Sequence, residues 1–278
     1  MIHLDEHSRG PLCKVTSALA LASALALAGC GGGASSASSP SIMLLAANDG
    51  ATGFELWKTD GSGTTLVKDI NPAGSSFPGA GGTVFPSEFV FFNGAWFFSA
   101  DDGTGPKLWR SDGTPGGTVR VTAAVSSPRE LTVLANALYF SADDGVSGRE
   151  LWKTDVTGST VRVKDINPTS GAGSLVSGLT VFNNALYFSA DDGATGLELW
   201  KSDGTDSGTV QVKDINTAQG VGSSPNAFTV LNNALLFSAD DGVSGRELWK
   251  TDVTGSTVRV KDICPGSCDG PPVLVILP

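Results

Sequence analysis

The sequence predicts an all-β fold, a five-bladed β-propeller built from four-stranded antiparallel blades, and three observations predict it. A Leu-Trp pair recurs at Trp57, Trp109, Trp152, Trp200 and Trp249, spaced 52, 43, 48 and 49 residues apart, the period of a supersecondary unit that stacks on copies of itself. The segment Phe140 to Ile166 reappears unchanged as Phe237 to Ile263. Between these pairs the chain alternates short apolar runs with Asp-Gly and Asn turns and shows no helical periodicity.

Residues 1–14 carry Arg9 and Lys14, and Val15 to Ala28 is an uncharged run of small and aliphatic residues. That run is too short to cross a bilayer as a helix, which takes roughly 20 residues, but it fits the apolar core of a signal peptide. It ends in Leu27-Ala28-Gly29-Cys30, which resembles the lipobox of bacterial lipoproteins. The resemblance implies cleavage after residue 29 and acylation of Cys30, the alternative being a signal peptide without a lipid. Domain boundaries follow: a signal peptide over 1–29, a lipidated Cys and flexible Gly/Ser linker over 30–41, and the repeat domain over 42–278.

The third copy sets the pattern for the rest. Leu131 to Leu134 is a first strand, Ala135-Asn136-Ala137 a turn, and Leu138 to Ala142 a second strand. A polar turn over Asp143 to Gly148 precedes a third strand at Glu150 to Lys153; Asp155 to Ser159 turns the chain again, and Thr160 to Ile166 is the fourth strand. The first copy begins at Ile42, aligned with a second strand, so its first strand is missing. Pro271 to Leu277 aligns with a first strand that has nothing after it. Joined, the two ends complete one blade and close a ring, removing the edges that an open β-solenoid, the alternative, would expose. Connectors between copies vary in length, and the second copy nearly lacks one.

The segments Phe54 to Gly61, Leu108 to Thr114 and Leu197 to Thr205 resemble the ELWxxDGT repeat of bacterial, hyalin-like surface proteins. The copies depart from it where Lys107 replaces Glu and where Val156 and Val253 replace Gly. The resemblance implies an exported, surface-associated repeat protein and leaves its activity open.

Composition removes several chemistries. Net charge is −10, and the charges in residues 1–29 cancel, so the mature chain keeps that value. Lys and Arg are dispersed, which argues against nucleic acid as a partner. The two histidines, His3 and His7, lie ahead of the apolar run within residues 1–29; with that segment cleaved there is no Ser-His-Asp triad and no His-ligated zinc.

Four sets of residues remain as candidates. The five tryptophans are blade core or an aromatic platform for sugars. The pairs Asp101/Asp102, Asp143/Asp144, Asp191/Asp192 and Asp240/Asp241 are turn formers or calcium ligands, calcium being the one cofactor the sequence suggests. Cys264 and Cys268 fit a local disulfide before the closing strand, or less well a metal pair. Glu88, Glu130, Asp206 and Asp269 are the acids outside the repeated pattern, and a glycosidase would need such unlike acids converging at one mouth. The expected protein is a monomeric, lipid-anchored surface module at the bacterial cell envelope, on the outer membrane or cell surface. It binds a protein or glycan without catalysis, with a lectin carrying equivalent sites and a glycan hydrolase as alternatives.

Overall fold

The structure, a computed structural model, describes residues 42–77, 89–263 and Pro265. Cys30, Cys264, Cys268, Glu88, Asp269 and the expected closing strand over 271–277 lie outside the described residues. Among the described residues every regular element is a β-strand, and each sheet is antiparallel and follows chain order.

The first sheet has three strands, β1 (Met43–Asn48), β2 (Phe54–Thr59) and β3 (Thr64–Lys68). The other four sheets have four. They are β4 (Val90–Phe92), β5 (Ala95–Asp101), β6 (Pro106–Ser111) and β7 (Val119–Arg120); then β8 (Ser126–Leu134), β9 (Ala137–Asp143), β10 (Arg149–Asp155) and β11 (Thr160–Lys164). The fourth sheet holds β12 (Ser177–Phe182), β13 (Ala185–Asp191), β14 (Leu197–Ser202) and β15 (Val210–Lys213). The fifth holds β16 (Asn226–Leu231), β17 (Ala234–Asp240), β18 (Arg246–Asp252) and β19 (Thr257–Lys261). In the third sheet the last strand stops at Lys164 rather than Ile166 because the Ile166 amide bonds to Glu150 Oε2 at 3.1 Å instead of to a strand.

Strand alternation sends Leu and Trp to opposite faces, and packing follows from it. Phe140 pairs with Trp152 and Ser141 with Leu151. Leu138, Phe140, Ala142 and Trp152 therefore share one face and pack on Phe97 and Leu108 of the sheet before, in one buried cluster. Tyr139 and Leu151 share the other face and meet Phe188 and Trp200 of the sheet after. The same exchange joins Leu56 to Trp109 and Leu199 to Trp249. Each interface is thus the Leu face of one sheet against the Trp face of the next, the packing of propeller blades. Trp109, Trp152, Trp200 and Trp249 are buried. Trp57 and Leu248, the members that would meet at a fifth interface, are only half-buried.

Polar contacts at the rim of these interfaces alternate along the chain. Lys58 donates to the Gly113 carbonyl at 2.9 Å and Lys153 to the Gly204 carbonyl at 2.8 Å, so odd blades reach Asp-Gly turns of even blades. Asn93 donates to the Val156 carbonyl at 3.2 Å and Asn183 to the Val253 carbonyl at 3.1 Å, so even blades reach Asp-Val turns of odd ones. The Gly-to-Val departures at Val156 and Val253 mark this second kind of interface.

Candidate functional site

The repeated acids are used by the scaffold. Glu55, Glu150, Glu198 and Glu247, the Glu of each Glu-Leu-Trp, have no solvent exposure. Strand alternation puts each on the Trp face, beneath the connector that leaves the blade. Glu150 accepts from the Ile166 and Asn167 amides at 3.1 and 3.3 Å and from Ser174 Oγ at 2.7 Å. Glu198 accepts from Ile215, Asn216 and Ser223 amides and from Ser223 Oγ. Glu55 takes the Ile70 and Ser76 amides and the Ser76 hydroxyl, and Glu247 takes the Ile263 amide at 2.9 Å.

The connector serine then ties two blades together. The Ser174 amide donates to the Arg149 carbonyl at 2.8 Å, and the Ser174 carbonyl accepts the Asp191 amide of the next blade at 2.8 Å. Ser76 makes the same pair of bonds, to Phe54 and Asp101. This role for the glutamate is not evident from its motif, but a signal for it is present in the sequence. The one copy with Lys107 in place of Glu is the copy whose connector is nearly absent, and Lys107 donates instead to the Val125 carbonyl at 3.3 Å.

Burial raises Glu55, Glu150 and Glu198 above the ordinary glutamate range, and hydrogen bonds from Ser76, Ser174 and Ser223 only partly oppose it. The turn aspartates move the other way. Hydroxyls two residues on, at Ser62, Thr114, Thr157 and Thr205, hold Asp60, Asp112, Asp155 and Asp203 below the usual range, with backbone amides adding to the effect.

A raised folded value means that the glutamates take up protons more readily folded than unfolded. As pH falls from neutral toward about 4.3, the unfolded glutamate value, they add stability. The aspartates' contribution is present above about 3.9 and is lost as pH falls through their lowered folded values. The melting temperature is therefore expected to rise between pH 7 and about 5 and to fall below about 4. Scanning fluorimetry at constant ionic strength reads it, and a steady fall from pH 7 downward would mean that the buried glutamates carry no such shift.

The Asp pairs also serve turns. Asp143 Oδ1 accepts from the Gly145 amide at 2.7 Å, and Asp144 Oδ1 from Val146 and Ser147 at 2.9 and 2.7 Å. Asp191/Asp192 and Asp240/Asp241 repeat the arrangement. Asp101 caps Gly103 and Gly105, while Asp102 caps Thr104. The second oxygen of Asp102 pairs with Arg120 at 3.2 Å and that of Asp241 with Arg259 at 3.4 Å. Among the described residues no three His, Cys, Asp or Glu side chains are grouped to hold a metal ion.

One cavity breaks the repeat. The first strands β8, β12 and β16 lie beside one another, blade to blade, and line a cavity of about 480 Å³. Each of these strands carries a bulge. The residue at the bulge has positive φ: Glu130 at 58°, Gly178 at 74° and Ala227 at 57°. Gly178 is required there, since a Cβ would lie 2.6 Å from the Phe228 ring. Among the described residues Glu130 is the only acid of this lining, and its Oε2 accepts the Leu179 amide at 3.0 Å across the blade boundary. Asp206, also outside the repeated pattern, is far from this setting: it is exposed and pairs with Lys164 at 3.3 Å.

No protein-family model and no curated protein matches the chain. Solved structures resemble it distantly. TolB from Acinetobacter baumannii is 14% identical with a TM-score of 0.43, over 82% of this chain and 53% of that one. A putative TolB from Agrobacterium tumefaciens is 11% identical with a TM-score of 0.40, over 63% of each chain. Puromycin hydrolase is 14% identical with a TM-score of 0.45, over 79% of this chain and 37% of that one. The chain thus spans about half to under two thirds of the two TolB structures, and likenesses this distant carry nothing about activity.

Proposed function

We propose that the chain is an exported, lipid-anchored β-propeller that acts as a non-catalytic interaction module at the bacterial cell surface. One observation carries the non-catalytic part: the acids and aromatics repeated in every blade are consumed by connectors, turns and blade interfaces. Glu130, the acid outside that use that lines a cavity, has no second carboxylate beside it among the described residues of the lining, whereas glycoside hydrolysis takes a pair. Trp109, Trp152, Trp200 and Trp249, being buried, likewise offer no ring face for a lectin with one sugar site per blade. The reading is tested with polysaccharide hydrolase assays and a glycan array: turnover of any substrate overturns it.

Lipid attachment at Cys30 predicts acyl labelling that Cys30→Ser abolishes. The Asp pairs, already bonded within their turns, act as turn formers. A melting temperature unchanged by calcium or chelator is the expected result, and a rise of several degrees with calcium would reassign them.

The ring closes when residues 271–277 add as a first strand beside β1. Three observations support this: the first sheet has three strands, Trp57 and Leu248 are half-buried where their counterparts are buried, and blade one carries an Asp-Gly turn. Gly61 has φ of 90°, like Gly113 at 87° and Gly204 at 90°, so its carbonyl can take exposed Lys250 as those take Lys58 and Lys153. Five being odd, the closing interface joins two odd blades, and the Asp-Gly turn is what lets the alternation end. Truncation after residue 270 is expected to lower the melting temperature by about 5 °C or more; an unchanged melting curve would favour the open stack.

A further inference from the structure

We propose that Asn93 is a site of spontaneous covalent modification, where the chain's own backbone converts the asparagine to aspartate or isoaspartate and loosens the rim contact between the second and third blades. The modification needs only water, so it stands apart from what the module binds.

Asn-Gly occurs once in the sequence, at Asn93-Gly94, in the two-residue turn between β4 and β5. Ring closure between an asparagine side chain and the following backbone nitrogen is crowded by any side chain on that following residue, and glycine has none. The turn itself is common to other blades. Asn183-Asn184 and Asn232-Asn233 make it with φ of 48° and 58° and of 48° and 59°, against 47° and 79° at Asn93-Gly94. What sets Asn93 apart is the bare residue after it.

The surroundings leave the reacting atoms accessible. Asn93 and Gly94 are both exposed, and a Cβ placed on Gly94 would meet nothing within 4 Å, so water reaches the turn. Among the described residues the Gly94 amide donates to no acceptor. Asn93 Nδ2 is held by one exposed bond, to the Val156 carbonyl at 3.2 Å, and water can take the place of such a bond.

The chemistry balances without oxidant or reductant. The Gly94 amide gives its proton to hydroxide, and its nitrogen forms a bond to Asn93 Cγ; the Cγ–Nδ2 bond breaks, and ammonia leaves with a proton from water. Water then opens the cyclic imide. Breaking the Cγ–N bond gives aspartate, and breaking the bond from the Asn93 backbone carbonyl carbon to that nitrogen gives isoaspartate, in which the chain runs through Cβ and Cγ. The Asp-Gly turns are poorer substrates, because an ionised carboxylate resists attack. Hydroxyls of Ser62, Thr114 and Thr205, followed by backbone amides, hold Asp60, Asp112 and Asp203 below the usual carboxylate range.

Either product removes the donor that Val156 accepts from. Isoaspartate also adds an atom to the turn that sets the Phe92–Ala95 pairing. Residue 93 lines a cavity of about 190 Å³ together with Asp155 and Val156, so the new carboxylate enters a lining that already holds one.

The test incubates the full-length chain in mildly alkaline water enriched in heavy oxygen and maps its peptides by mass spectrometry over time. Heavy oxygen is expected at residue 93 ahead of Asn183, Asn232 and every other asparagine, at a rate that rises with pH because the Gly94 amide must lose its proton. Gly94→Asn copies the Asn183-Asn184 turn and keeps the Asn93 side chain; modification of Asn93 should fall to the level of Asn183. In Asn93→Asp, hydrogen exchange across the turn over 155–159 should quicken relative to the unaltered chain. No label at residue 93, labelling no faster than at Asn183, a rate indifferent to pH, or an equal rate in Gly94→Asn overturns the site. Unchanged exchange in Asn93→Asp overturns the loosening of the blade contact.

Discussion

Trp152→Ala is expected to lower stability by about 3–5 kcal/mol, the cost of emptying a large aromatic site in a packed core. Trp152 is 8% exposed and sits among Phe97, Leu108, Leu138 and Phe140, residues drawn from two blades, so the cavity left behind is walled on both sides and cannot collapse without moving a sheet. In a domain of this length such a loss lowers the melting temperature by about 10 °C. Val156→Ala, at a residue 50% exposed in the following turn, is the control and should change stability by less than about 0.5 kcal/mol. A Trp152→Ala melting curve equal to that of the unaltered chain would contradict the interface described above and reopen the sugar-platform alternative.

Glu150→Ala should cost about 2–4 kcal/mol for a different reason. Three donors, the Ile166 and Asn167 amides and the Ser174 hydroxyl, lose their acceptor inside the protein, and each orphaned buried donor costs about 1–3 kcal/mol. Two effects reduce the sum. Removing a carboxylate that burial holds above its ordinary pKa relieves a desolvation cost, and water can enter the vacated space. The connector over 167–176 should show the change most: hydrogen exchange there is expected to quicken, while β9 (Ala137–Asp143) stays protected until global unfolding. Glu150→Gln should cost less, because one amide oxygen still accepts. Equal exchange in the connector of both variants and the unaltered chain would remove the glutamate from its role as connector anchor.

The two substitutions mark different distances from the sequence. Trp152 was legible as core because a residue repeated at one strand position in every blade is what uniform blade packing requires. The turn role of Asp143 and Asp144 was legible for a similar reason, Asp-Gly chemistry being local. Glu150 was harder. Its partners lie 16 to 24 residues away, beyond any periodicity of a strand, and a charged residue in an alternating strand reads as solvent-facing. Only the exchange of Glu for Lys107 in the copy with the shortest connector hinted at it. Glu130 stood out in the sequence as an acid off the repeated pattern, but nothing local placed it in a cavity between first strands.

Strand content, turn chemistry, the number of repeats and the missing first strand of blade one were determined by the sequence alone, because they rest on interactions between residues a few positions apart and on a pattern repeated five times. The tertiary structure decided what depends on one blade meeting another: that the Leu face of each sheet receives the Trp face of the next, that the buried glutamates hold the connectors, that interfaces alternate between lysine and asparagine contacts, and that Glu130 faces a cavity shared with β12 (Ser177–Phe182) and β16 (Asn226–Leu231). Those contacts join residues tens of positions apart, and nothing in the local order of the chain distinguishes a carboxylate bound for a connector from one bound for a cavity until the sheets are stacked.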